Sequence, residues 1–370
     1  MIHISNNFVS SNVHASLVSF LSGQEKQQLV IVPVRDRTHI GLNSSGLDGV
    51  AFRYIKFSNF LRYFPLIKVI YLAARCYRIL RECVRKEGRG VGSPRVIAHN
   101  FWSDGMLAYF NSLFIPMRYT LVVRNTDINY FVAKLPHYRW LMKRAIKGSE
   151  GLVFVSRSHY LRFSDRWPEL MHCARKVEVI PNGLSSWWLD KVSLHSNFRS
   201  NQVCFVGRFN QNKNLANLVK AALIVNEQVP DFRLVLVGGD EAEFCAAAKL
   251  NSVPRFVDIR GRLEKEELLE VYRASRLFAM PSFTETFGLV YLEAMSQGCS
   301  VICSAGEGID GMWDEPFIRA VNPADEKEIA IAMLELLQEY AEGIPVEWRV
   351  EEIHKFGWET AGRRYLEFFG

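Results

Sequence analysis

Two glutamates eight positions apart enclose the most specific pattern in this sequence. Glu285 precedes and Glu293 follows the tripeptide Phe287-Gly288-Leu289, and an apolar run typical of a buried strand ends at Pro281. The pattern predicts a strand, a polar loop and a helix that starts near residue 287 and stops at Gly298. We expect the free amides of the tripeptide, at the positive end of the helix dipole, to bind an anion such as a diphosphate without a metal ion.

The two carboxylates have types and positions suited to hydroxyl recognition. A carboxylate accepts hydrogen bonds from vicinal hydroxyls, so Glu285 and Glu293 can serve a sugar and a ribose on either side of a bound diphosphate. The alternatives are a loop acid at position 285 and a solvated helix residue at position 293. Glu293 stands between Leu292 and Ala294 on an otherwise apolar helix, which favours a ligand contact.

A second pattern of residues places two cations after a buried strand. The run 203–206 is apolar and is followed by Gly207 and Arg208, with Lys213 five residues further on. Ligands of α/β proteins bind at the carboxyl ends of strands, and a glycine there lets a ligand approach the backbone. A dinucleotide-binding turn requires GxGxxG, which is absent, so this pattern argues against a dehydrogenase. Solvated loop cations are the alternative.

The elements that must position these residues alternate between strands and helices. Apolar, β-branched runs separated by helical periodicity indicate parallel sheets with crossover helices, and therefore an α/β class with two domains. After a strand-like start at 1–4, the predicted strands are 28–34, 95–99, 119–124, 151–156 and 176–180, then 203–206, 233–237, 255–259, 277–280 and 300–303. A serine-rich polar stretch, 183–202, is the predicted linker.

At this point the residues resemble a known family, the retaining glycosyltransferases of the GT-B fold, family 4, also called glycosyl transferases group 1. The matching motifs are Gly207-Arg208, Lys213-Asn214, the Glu285 to Glu293 spacing and the turn Pro181-Asn182-Gly183. The resemblance implies two facing Rossmann-like domains with a cleft between them. It also implies an acceptor-side domain at 1–182, a nucleotide-sugar domain at 203–355 and a last helix, 356–370, that packs back on the first domain.

The resemblance further implies a role for each motif residue. Arg208 and Lys213 neutralise the donor diphosphate, Glu285 contacts the transferred sugar and Glu293 holds the ribose. The expected activity is metal-independent transfer from a nucleotide-diphosphate sugar, with no cofactor. Other enzymes with two α/β domains, namely nucleotide-sugar epimerases and phosphorylases, and a non-catalytic binding subunit on the same fold, are the competing hypotheses.

The first domain departs from the family pattern. The expected glycine-rich turn is replaced by a polar stretch that leads to His14, and the predicted strand 95–99 ends with His99 at its carboxyl edge. Arg124 and Asp127 fall where similar enzymes carry His-Gly-x-Asp, so the resemblance places Arg124 at the position of the histidine. All four are predicted contacts of the cleft. An arginine there favours an anionic substrate group.

Charge is distributed unevenly between the two halves of the chain. Residues 1–200 hold 28 Lys and Arg against 12 Asp and Glu, whereas residues 201–370 hold 17 against 27. Eleven basic residues lie between Arg53 and Arg95, interleaved with aromatic residues, and only two acidic ones accompany them. Such a stretch suits an anionic membrane surface or is a solvated helix face; no nucleic-acid module is recognisable.

The remaining composition bounds the compartment and the acceptor. No uncharged run approaches the roughly 20 residues needed to span a bilayer, and no secretory signal pattern is present. Seven scattered cysteines without a CxxC pair favour reduced thiols. These observations predict a cytoplasmic enzyme, with peripheral attachment at the inner face of the cell membrane as a further hypothesis. The predicted acceptor is a glycan, lipid-linked, used in cell-surface polysaccharide assembly.

Overall fold

The computed structural model describes residues 1–24, 27–47, 49–87, 93–196 and 199–369, without the side chains of Arg62, Lys86 and Glu87. Arg89 of the basic stretch and Asn197 of the predicted linker lie outside the described residues. The chain divides into two compact units. The first comprises 1–155, 159–183 and 358–370, and the second comprises 156–158 and 184–357.

The first unit is built on a parallel sheet of seven strands. Its strands are β1 Ile2–Ile4, β2 Gln28–Val34, β3 Val50–Lys56, β4 Arg95–Ala98, β5 Arg118–Val123, β6 Gly151–Phe154 and β7 Val177–Val179. The spatial order is β3-β2-β1-β4-β5-β6-β7, and every described pairing is parallel. Strands β2, β4, β5 and β6 are mostly apolar and buried, because helices cover both faces of a parallel sheet.

Helices connect these strands and cover the sheet. They are α1 Asn12–Ser22, α2 Pro65–Glu87, α3 Gly105–Ser112, the π-helix Asp127–Val132, α4 Arg139–Gly148, α5 Arg157–Arg166, α6 Pro168–Met171 and the terminal helix α14 Trp358–Phe368, with short 3₁₀ turns at Phe8–Ser10, Arg37–His39, Asn59–Tyr63 and Pro136–Tyr138. Helix α14 packs against α1. Gly362 permits this contact, because a Cβ atom there would lie 2.1 Å from the Phe20 ring.

The second unit has a parallel sheet of six strands. They are β8 Ser200–Val206, β9 Arg233–Val237, β10 Val257–Ile259, β11 Ser275–Ala279, β12 Ser300–Ser304 and β13 Ile318–Val321, in the order β10-β9-β8-β11-β12-β13. The helices are α7 Ser186–Leu189, α8 Leu215–Asn226, α9 Glu241–Ala248, α10 Lys265–Ala274, α11 Leu289–Ser296, α12 Glu326–Glu339 and α13 Val346–Ile353, with 3₁₀ turns at Gln211–Lys213 and His354–Phe356.

The prediction of an α/β fold with two parallel sheets is confirmed by these two units. Each predicted strand is present within one to three residues of its predicted bounds. Strands β3 and β13 were missed. Both carry half-exposed side chains along most of their length, so neither shows the continuous apolar run that marks the inner strands.

The interpretation of 183–202 as a linker is wrong for most of its length. Leu184 and Trp188 are buried in the apolar core of the second unit, and the Leu184 amide donates to the Phe356 carbonyl at 2.7 Å. Arg199 is also buried, and its guanidinium donates to the Ser275 carbonyl at 2.8 Å. The many serines of this stretch suggest a polar linker, but the apolar residues between them pack into the core of the second unit.

Two further findings concern the cysteines and the length of the helices. All seven cysteines are free thiols, as the sequence predicts. Within the described ranges, no helix combines the length and the apolarity needed to cross a membrane.

Candidate functional site

The strand order of the second unit creates a switch point between β8 and β11. The chain runs from β8 outward through β9 to β10 and then returns to the other side of β8 for β11, β12 and β13. The loops that follow β8 and β11 therefore leave the sheet in opposite directions and open a crevice at its carboxyl edge, where open α/β sheets bind ligands. Both motifs singled out in the sequence lie in these two loops.

Asn212 ties the two loops to each other. Its side-chain oxygen accepts from the Thr284 amide at 3.1 Å and from the Thr284 hydroxyl at 2.7 Å, while its side-chain nitrogen donates to the Thr284 carbonyl at 2.8 Å. The neighbouring Asn214 is buried and donates to the Pro281 carbonyl at 3.0 Å. A side-chain amide can both donate and accept hydrogen bonds, as a backbone peptide does. The bonds from Asn212 and Asn214 therefore hold the two loops at a fixed separation.

Lys213 and Glu285 meet at this crevice as an ion pair. The Lys213 Nζ atom lies 2.5 Å from Glu285 Oε2, and the two side chains are 19% and 16% exposed. The other carboxylate oxygen of Glu285 accepts from the Thr286 amide at 3.0 Å. The backbone amide of Lys213 is held by the Asn210 side chain at 3.1 Å. The structure thus joins two residues that lie 72 positions apart and that the sequence placed in one site.

Glu307 is a neighbour of this pair that the sequence analysis missed. It is buried, and its Oε2 atom accepts from the Glu285 amide at 2.9 Å. It follows β12 in the run Ala305-Gly306-Glu307-Gly308, and the Gly308 amide donates to the Glu285 carbonyl at 3.1 Å. The sequence did contain a signal for Glu307, because a glycine-containing turn directly follows a buried strand there, as it does at Gly207.

Helix α11 begins at Leu289, two residues later than the sequence predicts, and ends at Ser296. Gly288 precedes it with φ of +80°, and a Cβ atom there would lie 2.5 Å from the Tyr291 ring, so only glycine fits. Gly288, the N-cap residue, has no side chain that could cap the helix. Of the first-turn amides, that of Tyr291 donates to the Gly288 carbonyl at 3.0 Å, so those of Leu289 and Val290 are the ones left for a ligand at the same sheet edge. Phe287 is buried and contributes its backbone alone.

Glu293 lies one turn inside α11 and is partly buried. Its Oε2 atom accepts from the Tyr272 hydroxyl at 3.3 Å. Burial raises the pKa of Glu293 to about 7, and the Tyr272 hydrogen bond and the positive charge of Lys265 offset only part of that effect. Burial makes the ionised form of this carboxylate costly without a ligand. Hydrogen bonds from ligand hydroxyls would stabilise that ionised form.

Arg208 and Gly207 occupy the other side of the crevice. The Arg208 side chain is exposed, and it makes no hydrogen bond or ion pair with the part of the chain that the structure describes. Gly207 lies against Gly238 of the next loop, where a Cβ atom would be 2.3 Å from the Gly207 carbonyl oxygen. The glycines let the two loops pack backbone to backbone and leave the sheet edge open beside Arg208.

The predicted residues of the first unit form a separate, buried cluster. The rings of His14 and His99 lie 4.6 Å apart between centroids, and the Arg124 Nε atom donates to the His99 carbonyl at 2.8 Å. Sequence reasoning missed His3, whose Nδ1 atom lies 3.1 Å from His99 Nε2. Its position inside a short strand, rather than at the strand end, gave no signal. The His14 Nδ1 atom is 2.6 Å from the Ser5 hydroxyl.

Asp127 holds the loops after β4 and β5 in place. It is fully buried, and its carboxylate accepts from the amides of Trp102 at 2.9 Å, Phe101 at 3.0 Å and Arg124 at 3.0 Å. Burial raises the pKa of Asp127 to about 6 against the lowering effect of these amides. A ligand contact by Asp127 stays a prediction.

A metal ion needs a group of ligand side chains placed close together. Among the residues described, no group of three or more His, Cys, Asp or Glu side chains is arranged to hold a metal ion. The groups available for a diphosphate at the sheet edge are Lys213, Arg208 and the first-turn amides of α11.

Comparison with known proteins identifies the second unit. Residues 188–344 match the family described as glycosyl transferases group 1. The second unit carries a group 1 glycosyltransferase domain. The match spans the switch point and all the motif residues from Gly207 to Glu293. A D-inositol 3-phosphate glycosyltransferase of Corynebacterium jeikeium is 25% identical to the chain over 323 residues, which cover 77% of the chain and 76% of that enzyme.

Solved structures of glycosyltransferases have the same fold along the whole chain. A structure described as trehalose-6-phosphate from E. coli bound with UDP-2-fluoro glucose has a TM-score of 0.69 at 13% identity and covers 99% of this chain and 98% of its own. A trehalose-6-phosphate synthase studied for glycosyltransfer with retention, using bisubstrate glycomimetics, has a TM-score of 0.69 at 14% identity with the same coverage. The GT-B fold that the resemblance implies is therefore confirmed. At these identities the structural likeness establishes the fold alone.

Proposed function

We propose that this glycosyltransferase moves a sugar from a nucleotide-diphosphate donor to an acceptor with retention of configuration and without a metal ion, as in family 4. The observation that carries the proposal is the cation of Lys213, held at the switch point beside the uncapped start of α11. An ammonium group and free helix amides together suit a diphosphate. The UDP-sugar in the E. coli neighbour supports the donor class.

The proposed reaction depends on stabilising the leaving group. The bond between C1 of the sugar and the phosphate oxygen breaks, and the nucleotide diphosphate departs with the electron pair. Lys213, Arg208 and the amides of α11 face the charge that develops on it, and preorganised charges of this kind are a major source of rate enhancement. The acceptor oxygen then bonds to C1 on the same face, and its proton passes to the departing phosphate oxygen.

The two glutamates take the hydroxyl-binding roles in this proposal. Glu285, held by Lys213 and by the Thr286 amide, contacts the transferred sugar. Glu293, next to the Tyr272 hydroxyl, holds the ribose. A double displacement through a paired acid and nucleophile is disfavoured, because neither carboxylate is then free for that chemistry. The neighbour studied for transfer with retention supports the stereochemical outcome.

A panel of nucleotide-diphosphate sugars, scored by thermal stabilisation, tests the donor assignment. We expect one nucleotide class to raise the melting temperature, because ligand binding stabilises the folded state in proportion to affinity and concentration. Stabilisation and transfer are expected to persist in EDTA. No stabilisation by any nucleotide sugar would contradict the proposal. Turnover of the donor without an acceptor would favour an epimerase, and binding without turnover a non-catalytic subunit.

The acceptor belongs to the same proposal. We propose a glycan acceptor carried on a lipid and used in cell-surface polysaccharide assembly, with the enzyme attached peripherally to the cytoplasmic face of the membrane. The support is a surface of the first unit that combines exposed apolar residues with basic ones. The relative from Corynebacterium is named for a small phosphorylated acceptor, which is the competing class.

The exposed face of α2 changes character along its length, and we call it the α2 surface. Its amino-terminal half carries apolar side chains and its carboxyl-terminal half carries basic ones. The apolar members are Ile67, Ile70 and Tyr71 of the helix, with Phe60, Tyr63 and Phe64 of the segment before it, and the basic members are Arg75, Arg78, Arg81 and Arg85. Ile67 is 55% exposed and Phe60 is 66% exposed. A helix with this arrangement suits the interface of an anionic bilayer, where apolar groups insert and basic groups meet headgroups.

Flotation with vesicles tests the α2 surface. We expect the protein to float with phosphatidylglycerol vesicles at low salt, to remain behind with phosphatidylcholine, and to bind less at high salt. The variant Ile67→Ser should weaken binding, whereas Ile331→Ser, which changes an equally exposed isoleucine of the second unit (57%), should not. Absence of binding to anionic vesicles at low salt would exclude this role.

A further inference from the structure

Arg124 is a buried cation of the first unit whose charge has no ion-pair partner. Only 9% of the residue is exposed, and its one hydrogen bond from the guanidinium to a described residue runs from Nε to the His99 carbonyl at 2.8 Å. No carboxylate in the described ranges forms an ion pair with it. Buried charges are usually paired, because burial without a partner costs free energy.

The buried carboxylates near the same strand ends do not fill this role. Asp127 accepts from three backbone amides. Asp104 accepts from the Asn6 amide at 3.1 Å and from the Asn100 side chain at 2.8 Å, and burial raises its pKa to about 7. Burial lowers the pKa of the Arg124 guanidinium, and Tyr365, Asp127 and Asp104 oppose this effect only at a distance.

The three histidines around Arg124 are neutral and cannot supply a counter-charge. Burial lowers the pKa of His3 to about 3 and lowers those of His14 and His99 well below the usual value, and the charge of Arg124 adds to the effect on His14 and His99. His99 also has a buried Nδ1 atom without a hydrogen-bond partner. The described neighbours of Arg124 therefore supply no ion pair to the guanidinium, and the imidazole rings near it are neutral.

The position of Arg124 is that of a ligand contact. It follows β5 at the carboxyl edge of the sheet, where α/β proteins bind ligands. His14, whose ring lies against His99, is in the first turn of α1. The Ser11 side chain at the N-cap of this 11-residue helix makes no capping hydrogen bond.

We propose that Arg124 binds an oxyanion group of a substrate, either a carboxylate on the donor sugar or a phosphate monoester on the acceptor. This inference rests on the proposed function and adds the substrate class to it. A guanidinium presents paired N–H donors that match the two oxygens of either group. The substrate oxyanion thus forms the ion pair with Arg124 that no described carboxylate forms. A neutral analogue of the substrate cannot form this ion pair.

The test compares Arg124→Met and Arg124→Lys with the wild-type protein and with a matched control, Arg118→Met. Arg118 belongs to the same unit and is paired with Glu150 through two bonds of 3.0 and 2.9 Å. Orthophosphate and glucuronate are the probes, each measured by thermal shift with the second unit saturated by the nucleotide diphosphate that binds it. Saturation removes phosphate binding at Lys213 from the measurement.

We expect one probe to stabilise the wild-type protein, with at least a tenfold loss of affinity in Arg124→Met and a smaller loss in Arg124→Lys. Orthophosphate binding assigns the anion to the acceptor, and glucuronate binding assigns it to the donor. Without ligand, Arg124→Met should melt no lower than wild type, since it removes an unpaired buried charge. Arg118→Met should melt lower and keep its anion affinity.

Three results would overturn the inference. One is a lower melting temperature of unliganded Arg124→Met with unchanged probe affinity, which marks a structural cation. Another is an unchanged probe affinity in Arg124→Lys, should the methionine variant fail to fold. The third is the absence of any probe effect in a wild-type protein that binds nucleotide diphosphates. If no nucleotide binds at all, the proposed function itself fails.

Discussion

Replacing Lys213 by methionine is expected to lower kcat by about 10²- to 10³-fold, the usual effect of removing one preorganised group that stabilises developing negative charge. The reason is positional. Lys213 Nζ lies at the switch point, 2.5 Å from Glu285, and the Asn210 and Asn212 hydrogen bonds fix the loop that carries it. A charge held in place before the reaction costs no reorganisation when the nucleotide diphosphate departs.

The measurement is steady-state transfer with the donor found by the stabilisation panel. Lys213→Arg should recover part of kcat, because it keeps the charge and changes only its geometry. Lys220→Met is the matched control, since it removes an exposed lysine from α8, the helix that follows the same loop. A Lys213→Met enzyme with unchanged kcat and a raised KM would show that the cation binds the donor without favouring the transition state.

The variant also leaves Glu285 without its cation, and this effect has to be separated from catalysis. Both side chains are largely buried, so a lone carboxylate at this place is expected to lower stability. The double variant Lys213→Met with Glu285→Gln removes both charges and should regain stability without regaining kcat. Recovery of kcat in the double variant would mean that the single change acts through misfolding of the loop.

The second unit was the more predictable half because its signals are local. Gly207, Lys213, Glu285 and Glu293 each stand directly after a buried strand or inside the following helix, and parallel strands bring their carboxyl ends to one edge. The sequence analysis placed these residues on the right elements. It could not show that Lys213 pairs with Glu285, because the contact joins positions 72 apart.

The failures have a common physical cause, which is that burial and pairing are long-range properties. Glu307 reaches the Glu285 amide only because β12 follows β11 in the sheet. Nothing in the sequence indicated that three backbone amides donate to the Asp127 carboxylate, because the loops that supply them meet only in the fold. The serine-rich stretch 183–202 suggested a linker, but Trp188 fills the core beneath it.

Replacing Glu293 by glutamine is expected to change the pH dependence of stability. Burial raises the pKa of Glu293 from 4.5 to about 7, so between these values the folded protein holds a proton that the unfolded chain has released. Wild-type stability should therefore fall as pH rises from about 4.5 through 7 and level off above. Glutamine stays neutral and still accepts from Tyr272, which removes this dependence.

Chemical denaturation at pH 5 and pH 8 measures the effect. We expect Glu293→Gln to lie close to the wild-type protein at pH 5 and to exceed it by about 3 kcal/mol at pH 8, from a shift of about 2.5 units at 1.36 kcal/mol each. Glu266→Gln, an exposed change on the neighbouring helix α10, should show no such difference. An advantage of equal size at both pH values would reflect packing and would contradict the titration.

The same residue is expected to link nucleotide affinity to pH in the opposite direction. Ribose hydroxyls donate best to the ionised carboxylate, so the wild-type affinity for the nucleotide diphosphate should rise through about pH 7, where the phosphate also titrates. In Glu293→Gln only the phosphate contribution remains, and affinity at pH 8 should fall by about 10- to 100-fold. A Glu293→Gln variant that is more stable but binds its nucleotide less well would show that Glu293 contacts the ligand. A glutamate with a purely structural role would change stability alone.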